Sequence, residues 1–408
     1  MRLQEFIRKV EVVFRPDEAG RERGIEELSD GQRSLFHLAI TATTLDVEDA
    51  ILAGSAAFQR SAAVLPALTL IAIEEPENNL APFYLSRIIR QIEDLTENRR
   101  AQALLSSHSV SMLVRIAPEQ VRHFRLDPNT RSALVRQIRL PEGPEEASTF
   151  VREAVRTYPE MYFSRFVILG EGTSEEVVIP RLADAMDLSI DRSFVALVPL
   201  GGRHVNHLWR LLTDLDIPYA TLLDLDAGRA GGGRGRINVA CHELIANGTN
   251  PALLFSAESL TQGVDQALRR FDTHPLDLAA LKTWTDHLRK FGVFFCSPLD
   301  LDLTMLSAFP DAYRKLDAGM TGPSQRGDAK LAVLGDDGQP SLYNASFDDQ
   351  FRWYRYLFLG RGKPSTHVRV LSNVNFEDLR EKAPPDLVAL LEYVSMNLFG
   401  TPEGDWRR

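Results

Sequence analysis

Paired carboxylates recur in the second half of the chain, each pair in or beside an apolar run. They stand in the stretches "EGTSE", "LLDLDAG" and "SPLDLDL", as Glu171 and Glu175, Asp224 and Asp226, and Asp300 and Asp302. Acids four residues apart share one face of a helix, and acids two apart point the same way in an extended strand. Oxygen-rich clusters of this kind suit Mg²⁺ or Mn²⁺. Two such ions about 4 Å apart can hold the attacking and leaving oxygens of a phosphodiester.

Each pair also has a structural interpretation. An isolated D-x-D is usually a solvated strand end or turn, and a glutamate in the first turn of a helix complements the helix dipole. The combination favours a catalytic role of these acids over a structural one, because E-G-x-x-E follows one apolar run and D-x-D follows the next but one.

The elements that must position these acids alternate along the chain. We predict strands at "RFVILG", "FVALVPL", "YATLLDLD" and "FGVFFCSPLDLD", with helices from Ser174 to about Met186 and from about Val205 to Leu215. The first part has strands at "KVEVVF", "PALTLIAIEEPENNL" and "AQALLSSHS", and helices over roughly residues 34–44 and 82–96. Alternating buried strands and helices predict an α/β fold with parallel sheets. Chemistry in such sheets collects at the carboxyl ends of the strands.

Three motifs in the first part resemble those of ABC-type ATPases. "LSDGQRS" resembles the signature loop, with Asp30 in place of the usual first glycine. The resemblance makes Ser29, Gly31 and Gln32 candidates for binding ATP from a partner subunit.

The other two motifs concern hydrolysis. "LTLIAIEEPENNLAP" resembles Walker B and the D-loop, in which Glu74 would hold Mg²⁺ through water and Glu75 would polarise the attacking water. "LLSSHS" resembles the switch region, with His108 contacting the γ-phosphate. The order and spacing of the three motifs make the resemblance specific.

The phosphate-cradling loop of such ATPases has no counterpart in this sequence. No G-x-x-x-x-G-K-[ST] occurs. The chain thus resembles the C-terminal half of an ATPase: truncated, completed by a separate chain, or decayed. We expect ATP binding only if another segment or chain supplies the Walker A lobe.

The second part resembles the Toprim (topoisomerase–primase) fold, and most specifically the nuclease domain of the OLD (overcoming lysogenization defect) family. The motifs that carry the resemblance are "EGTSE" and "DLD". It implies Mg²⁺-dependent cleavage of DNA, with Glu171, Glu175, Asp224 and Asp226 as catalytic metal ligands.

The resemblance extends to two later features. It implies a further acidic metal site, matched by Asp300 and Asp302, and leaves open which of the two binds metal. It also implies a catalytic basic residue, matched by Lys363 in "GRGKP". Such a lysine would stabilise charge on a pentavalent phosphorane, whereas the alternative is an ordinary loop lysine.

Composition limits the classes of protein to which the chain could belong. The 408 residues are 44% hydrophobic and 25% charged, which is typical of a globular protein. A net charge of −10 does not itself indicate a nucleic-acid binder, but "AGRAGGGRGR" (227–236) is predicted to be a flexible basic loop that could contact phosphates.

The two cysteines are far apart, which argues against disulfides and zinc. With no membrane-length apolar run and no signal peptide, we expect a cytoplasmic protein.

We therefore predict an α/β protein with the C-terminal part of an ABC-type ATPase domain (1–140), a linker helix (141–160) and a Toprim nuclease domain with a C-terminal extension (161–400). The expected function is metal-dependent DNA cleavage in phage defence or DNA processing. Expected partners are DNA, a second copy of the chain in a dimer or higher oligomer, and a protein supplying the ATPase N-terminal lobe or a helicase function.

Two other functions stay open. One is an ABC-like DNA-sensing or regulatory subunit without nuclease activity. The other is primase-like or topoisomerase-like chemistry, although Tyr158, Tyr162 and Tyr219 stand in no recognisable tyrosine motif.

Overall fold

The structure, a computed structural model, describes residues 12–15, 20–55, 65–78, 82–97, 100–127, 130–140, 145–199, 205–273, 277–316, 319, 321–360 and 362–400. It divides into two compact units, Met1–Val121 and Arg122–Arg408. The domain limits expected from the sequence stay a prediction.

The first unit is built around two parallel strands, β1 (Thr69–Glu74) and β2 (Ala101–Ser106), which pair along their full length. Its described α-helices are α1 (Asp30–Leu52), α2 (Pro82–Thr96) and α3 (Val110–Leu113). One face of the strand pair packs into small apolar clusters, for example Ile71 with Leu45 and Leu95. The two strands and α2 follow the predicted pattern, whereas α1 is longer than predicted.

The second unit contains an antiparallel hairpin, β3 (Arg122–Leu126) and β4 (Ala133–Gln137), that the sequence did not predict. Its main sheet has four parallel strands in the order β6-β5-β7-β8. These are β5 (Phe166–Gly170), β6 (Val195–Pro199), β7 (Tyr219–Asp224) and β8 (Val293–Cys296). All of β5 and β8 is buried, as expected for parallel strands covered on both faces.

Helices surround this sheet. The described ones are α4 (Glu145–Thr157), α5 (Thr173–Ala185), α6 (Val205–Asp214), α7 (Arg234–Ala246), α8 (Pro251–Leu254), α9 (Val264–Thr273), α10 (Leu278–Leu288), α11 (Leu301–Ala308), α12 (Pro310–Tyr313), α13 (Ala329–Leu334), α14 (Asp348–Tyr354), α15 (Lys363–Leu371), α16 (Phe376–Glu381) and α17 (Pro385–Phe399). A π-helical turn, Arg355–Leu359, follows α14. A large apolar core joins β5, β7 and β8 to α5, α11 and α15.

The four strands predicted for the second half, and the parallel α/β fold, are confirmed. The first three residues of the strand predicted at "KVEVVF" lie outside the described residues, and of the other three Phe14 forms an antiparallel bridge with Arg23. No described helix is long and apolar enough to cross a membrane.

Candidate active site

Three adjacent strands bring the predicted acids to one edge of the main sheet. Glu171 follows β5 directly, Asp224 ends β7, and Asp300 lies four residues beyond β8. Because β5, β7 and β8 are neighbours and parallel, their carboxyl ends meet at the same edge. The six acids therefore form one group, which we call the carboxylate cluster: Glu171, Glu175, Asp224, Asp226, Asp300 and Asp302.

The local geometry of two of the three pairs differs from the expected alternation in an extended strand. Asp226 lies past β7 in the left-handed region, with φ of 52°. Asp300 is the N-cap of α11 and accepts a hydrogen bond from the Leu303 N–H at 3.0 Å, so Asp302 lies in the first helical turn. The extended D-x-D assignment is wrong for both pairs, and the acids meet through turns and caps instead.

The Glu175 side chain caps the N-terminus of its own helix, α5. Its carboxylate accepts hydrogen bonds from the N–H groups of Glu171, at 3.2 Å, and Gly172, at 3.1 Å. The side chain is 3% exposed, and burial raises the pKa of Glu175 from 4.5 to about 7. A Cβ at Gly170 would lie 3.2 Å from the Glu175 side chain, so the preceding glycine leaves room for this buried acid.

Arg236 bridges two of the acids. It contacts Glu171 at 2.8 Å and Asp226 at 2.7 Å. Glu171 also accepts a 2.5 Å hydrogen bond from the Asp224 N–H, which ties the end of β7 to the end of β5. Burial, and then the charge of Asp226, raise the pKa of Glu171, although Arg236 and the hydrogen bond from Asp224 oppose the shift.

Arg229 links the second acidic pair to the third. It contacts Asp226, Asp300 at 3.1 Å, and the hydroxyl of Tyr354 at 3.1 Å. A Cβ at Gly232 would lie 1.8 Å from the Asp226 carbonyl oxygen, so this turn requires glycine. The prediction of a flexible loop over 227–236 is wrong, because Arg229 and Arg236 are held by buried carboxylates and α7 begins at Arg234.

The third pair is the most enclosed. Asp300 is 1% exposed and accepts a 2.6 Å hydrogen bond from Tyr354. Asp302 is 2% exposed and contacts Lys363 at 2.5 Å and His367 at 2.9 Å. The Lys363 amine also lies 3.8 Å from Asp300. The structure thus brings the predicted basic residue to the cluster.

The cluster carries excess negative charge. Among the described residues, three permanent cations form ion pairs with its carboxylates: Arg229, Arg236 and Lys363. Burial raises the pKa of Asp224 well above its ordinary value, and the neighbouring Asp300, Glu171, Glu175 and Asp226 raise it further. Burial also raises the pKa of Asp300, with Asp302 adding to the shift. Mutual repulsion of this kind favours a cation, and carboxylate oxygens are the type of donor that Mg²⁺ and Mn²⁺ prefer.

Asp302 behaves differently from its neighbours. Burial opposes its ionisation, but the hydrogen bond from His367 and the charge of Lys363 leave the pKa of Asp302 below its ordinary value. Across the described residues, no group of three His, Cys, Asp or Glu side chains stands ready to hold a metal ion. The arginine and lysine contacts occupy several of the carboxylate oxygens.

Sequence reasoning missed three side chains of this site: Tyr313, Tyr354 and His367. His367 lies one helical turn after Lys363, and that spacing was the available signal. The tyrosines come from α12 and α14 and had no recognisable motif. Arg229 and Arg236 were noted only as part of the basic loop.

The nucleotide motifs of the first unit also form contacts. Glu75 follows β1 with φ of 44°, and its carboxylate lies 2.9 Å from His108 and accepts a 2.6 Å hydrogen bond from Asn78. Glu74 is the last residue of β1 and pairs in register with Ser106. The structure therefore brings the predicted Walker B acid and switch histidine together.

The signature segment starts α1. Ser29 is the N-cap and accepts a 3.3 Å hydrogen bond from the Gln32 N–H, while the Gln32 side chain accepts a 3.1 Å hydrogen bond from the Ser29 N–H. Gly31 is buried and Ser29 is exposed. Their predicted role in binding ATP stays a prediction.

Comparisons with known proteins agree with both halves of this arrangement. Residues 162–226 match the model of the "Overcoming lysogenization defect protein-like, TOPRIM domain". Residues 2–114 match the model "AAA domain, putative AbiEii toxin, Type IV TA system". No curated protein matches the chain significantly.

Solved structures give further likenesses. The C-terminal region of the Burkholderia pseudomallei OLD protein is 18% identical, with a TM-score of 0.36, over 58% of this chain and 99% of that chain. The C-terminal region of the Xanthomonas campestris pv. campestris OLD protein, in a platinum-phased structure, is 17% identical with a TM-score of 0.32, over 59% of this chain and 96% of that chain.

The fold and the family models define a protein in which an ATPase-like region precedes a Toprim domain. The Toprim domain is of the OLD type, so the resemblance to the OLD family predicted from the sequence is confirmed. This combination supports a nuclease/ATPase protein of that family.

Proposed function

We propose that the protein is a divalent-metal-dependent DNA endonuclease and that the carboxylate cluster is its active site. The observation that carries the proposal is the convergence of six acids, with the pKa of Glu171, Glu175, Asp224 and Asp300 raised, at the carboxyl edge of an OLD-type Toprim sheet. Burying so many carboxylates together is costly for stability. A cation that the acids hold for catalysis is the physical reason to keep them.

Mg²⁺ or Mn²⁺ would be held by Glu171, Glu175, Asp224 and Asp226, with Asp300 and Asp302 completing the acidic set. The bound ions would supply Lewis-acid stabilisation of the attacking and leaving oxygens. The protein's own part is to gather the ligands on rigid strand ends and helix starts. The Lys363 side chain, 42% exposed, presents a positive charge where phosphate charge would develop.

The arginines have a second use in this proposal. Arg229 and Arg236 form ion pairs with Asp300 and Glu171, which lowers the repulsion between the buried acids. Their planar guanidinium groups also suit DNA phosphate geometrically, so both arginines would contact the DNA backbone in this proposal.

We further propose that the first unit mediates assembly with a second copy of the chain, and that it binds ATP only together with a Walker A lobe from elsewhere. The Glu75–His108 contact supports the first unit as an ATPase-type element. The expected role in phage defence or DNA processing, the cytoplasmic location and a helicase-type partner follow from the family resemblance and belong to the same proposal.

The ion pairs also favour a second candidate, a DNA-sensing or regulatory subunit whose Toprim half is structural. In that case Arg229, Arg236 and Lys363 would be permanent partners of the acids. The two candidates differ in one measurable property, the metal dependence of DNA cleavage.

The test is an assay of supercoiled plasmid with the purified chain and Mg²⁺, Mn²⁺ or EDTA, without ATP. We expect nicking and linearisation with either metal, no cleavage with EDTA, and no cleavage by Asp226→Asn. The matched control is Asp349→Asn, which removes an exposed partner of Arg314 and should cleave normally, because such surface pairs contribute little. A chain that binds DNA but cuts it with neither metal would contradict the proposal and support the second candidate.

A further inference from the structure

A buried hydrogen-bond chain leads away from the carboxylate cluster. The Tyr313 hydroxyl lies 2.5 Å from Nδ1 of His367, and Nε2 of His367 lies 2.9 Å from Oδ1 of Asp302. Oδ2 of Asp302 lies 2.5 Å from the Lys363 amine. Tyr313 and His367 are fully buried and Asp302 is nearly so. Lys363 is the one member with a substantially exposed side chain.

The direction of each hydrogen bond follows from chemistry. An ionised carboxylate only accepts, so Nε2 of His367 must carry the hydrogen that it donates to Asp302. When the ring carries a single hydrogen, at Nε2, Nδ1 is an acceptor and the Tyr313 hydroxyl donates to it. Burial raises the pKa of Tyr313 well above its ordinary value, so this hydroxyl keeps its proton.

One helix supplies both donors to Asp302. Lys363 begins α15 and His367 lies four residues on, so the two side chains share a helix face. Each donor takes a different oxygen of the carboxylate. The orientation of Asp302 is therefore set by α15, and the position of the lysine amine is set in turn by Asp302.

We propose that His367 and Tyr313 are positioning residues of the candidate site. Tyr313 fixes the tautomer of His367, His367 holds one oxygen of Asp302, and the other oxygen holds the Lys363 amine at the cluster. Outer partners that orient a ligand in this way are worth about tenfold to a hundredfold in affinity or activity in metal sites. This inference rests on the proposed function for its activity readout, and its second readout is independent of cleavage.

The test uses a pair of amide substitutions in the 408-residue chain. His367→Gln keeps a donor near the position of Nε2, whereas His367→Asn is too short to reach Asp302. We expect His367→Asn to lower kcat about tenfold to a hundredfold with little change in KM for DNA, and His367→Gln to restore most of the loss. Tyr313→Phe should also lower kcat, and Tyr219→Phe, which alters a hydroxyl bonded to Asn247, should not.

The second readout is brief acetylation with acetic anhydride, quantified at Lys363 by peptide mass spectrometry. Lys382, an exposed lysine paired with Asp378, is the internal reference. We expect faster labelling of Lys363 in His367→Asn and in Asp302→Asn, and near wild-type labelling in His367→Gln.

The outcomes separate the two proposals. A wild-type chain that cuts no DNA, but shows this labelling pattern, contradicts the proposed function and supports the positioning chain. Equal kcat and equal Lys363 labelling in His367→Asn and His367→Gln would overturn the inference, even in an active nuclease. The same holds if both variants lose activity equally, because His367 would then serve only to fill the core.

Discussion

The two candidate sites use the same local device in opposite surroundings. In each, an acid follows a parallel strand in the left-handed region, Glu75 after β1 and Asp226 after β7. Such a conformation costs about 1–2 kcal/mol for a residue other than glycine. Glu75 sits in the open, with a 37% exposed side chain beside a 71% exposed His108. Asp226 is 9% exposed and is enclosed by two arginines.

The difference shows what each site lacks. The carboxylate cluster is already desolvated, so charge acts strongly there and needs only a counter-cation. The Glu75–His108 contact is solvated, and the electrostatic interaction between two charges is weak in water. A nucleotide and a second protein surface would have to exclude water before these groups could work on phosphate. We therefore expect the second unit to function alone and the first to depend on assembly.

The largest expected effect tests this independence. Glu175→Ala should abolish metal-dependent cleavage, because it removes a proposed ligand, whereas Glu75→Ala should leave cleavage without ATP unchanged. The measurement is plasmid nicking at saturating Mn²⁺, with circular dichroism to show that both variants fold. Retained nicking by Glu175→Ala would remove that residue from the site, and loss of nicking in Glu75→Ala would contradict the independence of the two units.

A smaller effect concerns the exposed end of the cluster. Lys363→Ala should lower the cleavage rate by about two orders of magnitude, as expected for the loss of one electrostatic stabiliser. Lys382→Ala removes an exposed lysine whose partner is Asp378, and should cleave normally. Single-turnover rates compare the two. An unchanged rate in Lys363→Ala would show that this lysine plays no part in cleavage and serves only as the ion-pair partner of Asp302.

The fold was predictable from the sequence where the hydrophobic pattern is strong. The four strands of the main sheet are largely apolar runs, and a parallel strand covered on both faces leaves that signature in a sequence. The hairpin β3–β4 was missed, because its strands are only five residues long and carry arginines, as in Arg125 and Arg136. Its apolar face is small and exposed, with Phe124 paired to Val135, so no buried apolar run marks it in the sequence.

The candidate site was predictable in its acids and not in their partners. Strand ends and the E-G-x-x-E spacing placed Glu171 and Asp224 at one edge of the sheet. Tyr313, Tyr354 and His367 reach the cluster from helices far along the chain, and such contacts depend on tertiary packing. The glycine-rich run was read as flexible from composition, whereas Gly232 is required by the close approach of the Asp226 backbone.

The smallest expected effect is a pH dependence of stability, which reports the cost of burying the Glu175 carboxylate in the second unit. A carboxyl group whose pKa is raised by folding binds its proton more tightly in the folded state. Its contribution to the free energy of unfolding is complete at a pH below its pKa in the unfolded chain. That contribution is lost as the pH rises through its pKa in the folded protein, which for Glu175 is about 7. Between pH 6 and pH 8 the wild type should therefore lose about 1 kcal/mol more unfolding free energy than Glu175→Gln.

Urea denaturation in EDTA at the two pH values measures this difference, since metal would mask the repulsion. Asp349→Asn is the control, because it removes an exposed carboxylate paired with Arg314 and leaves the carboxylate cluster unchanged. Identical pH dependence in wild type and Glu175→Gln would show that Glu175 stays ionised throughout this range. The cap hydrogen bonds from Glu171 and Gly172 would then outweigh burial, and the contrast between the two sites would rest on the other acids of the cluster.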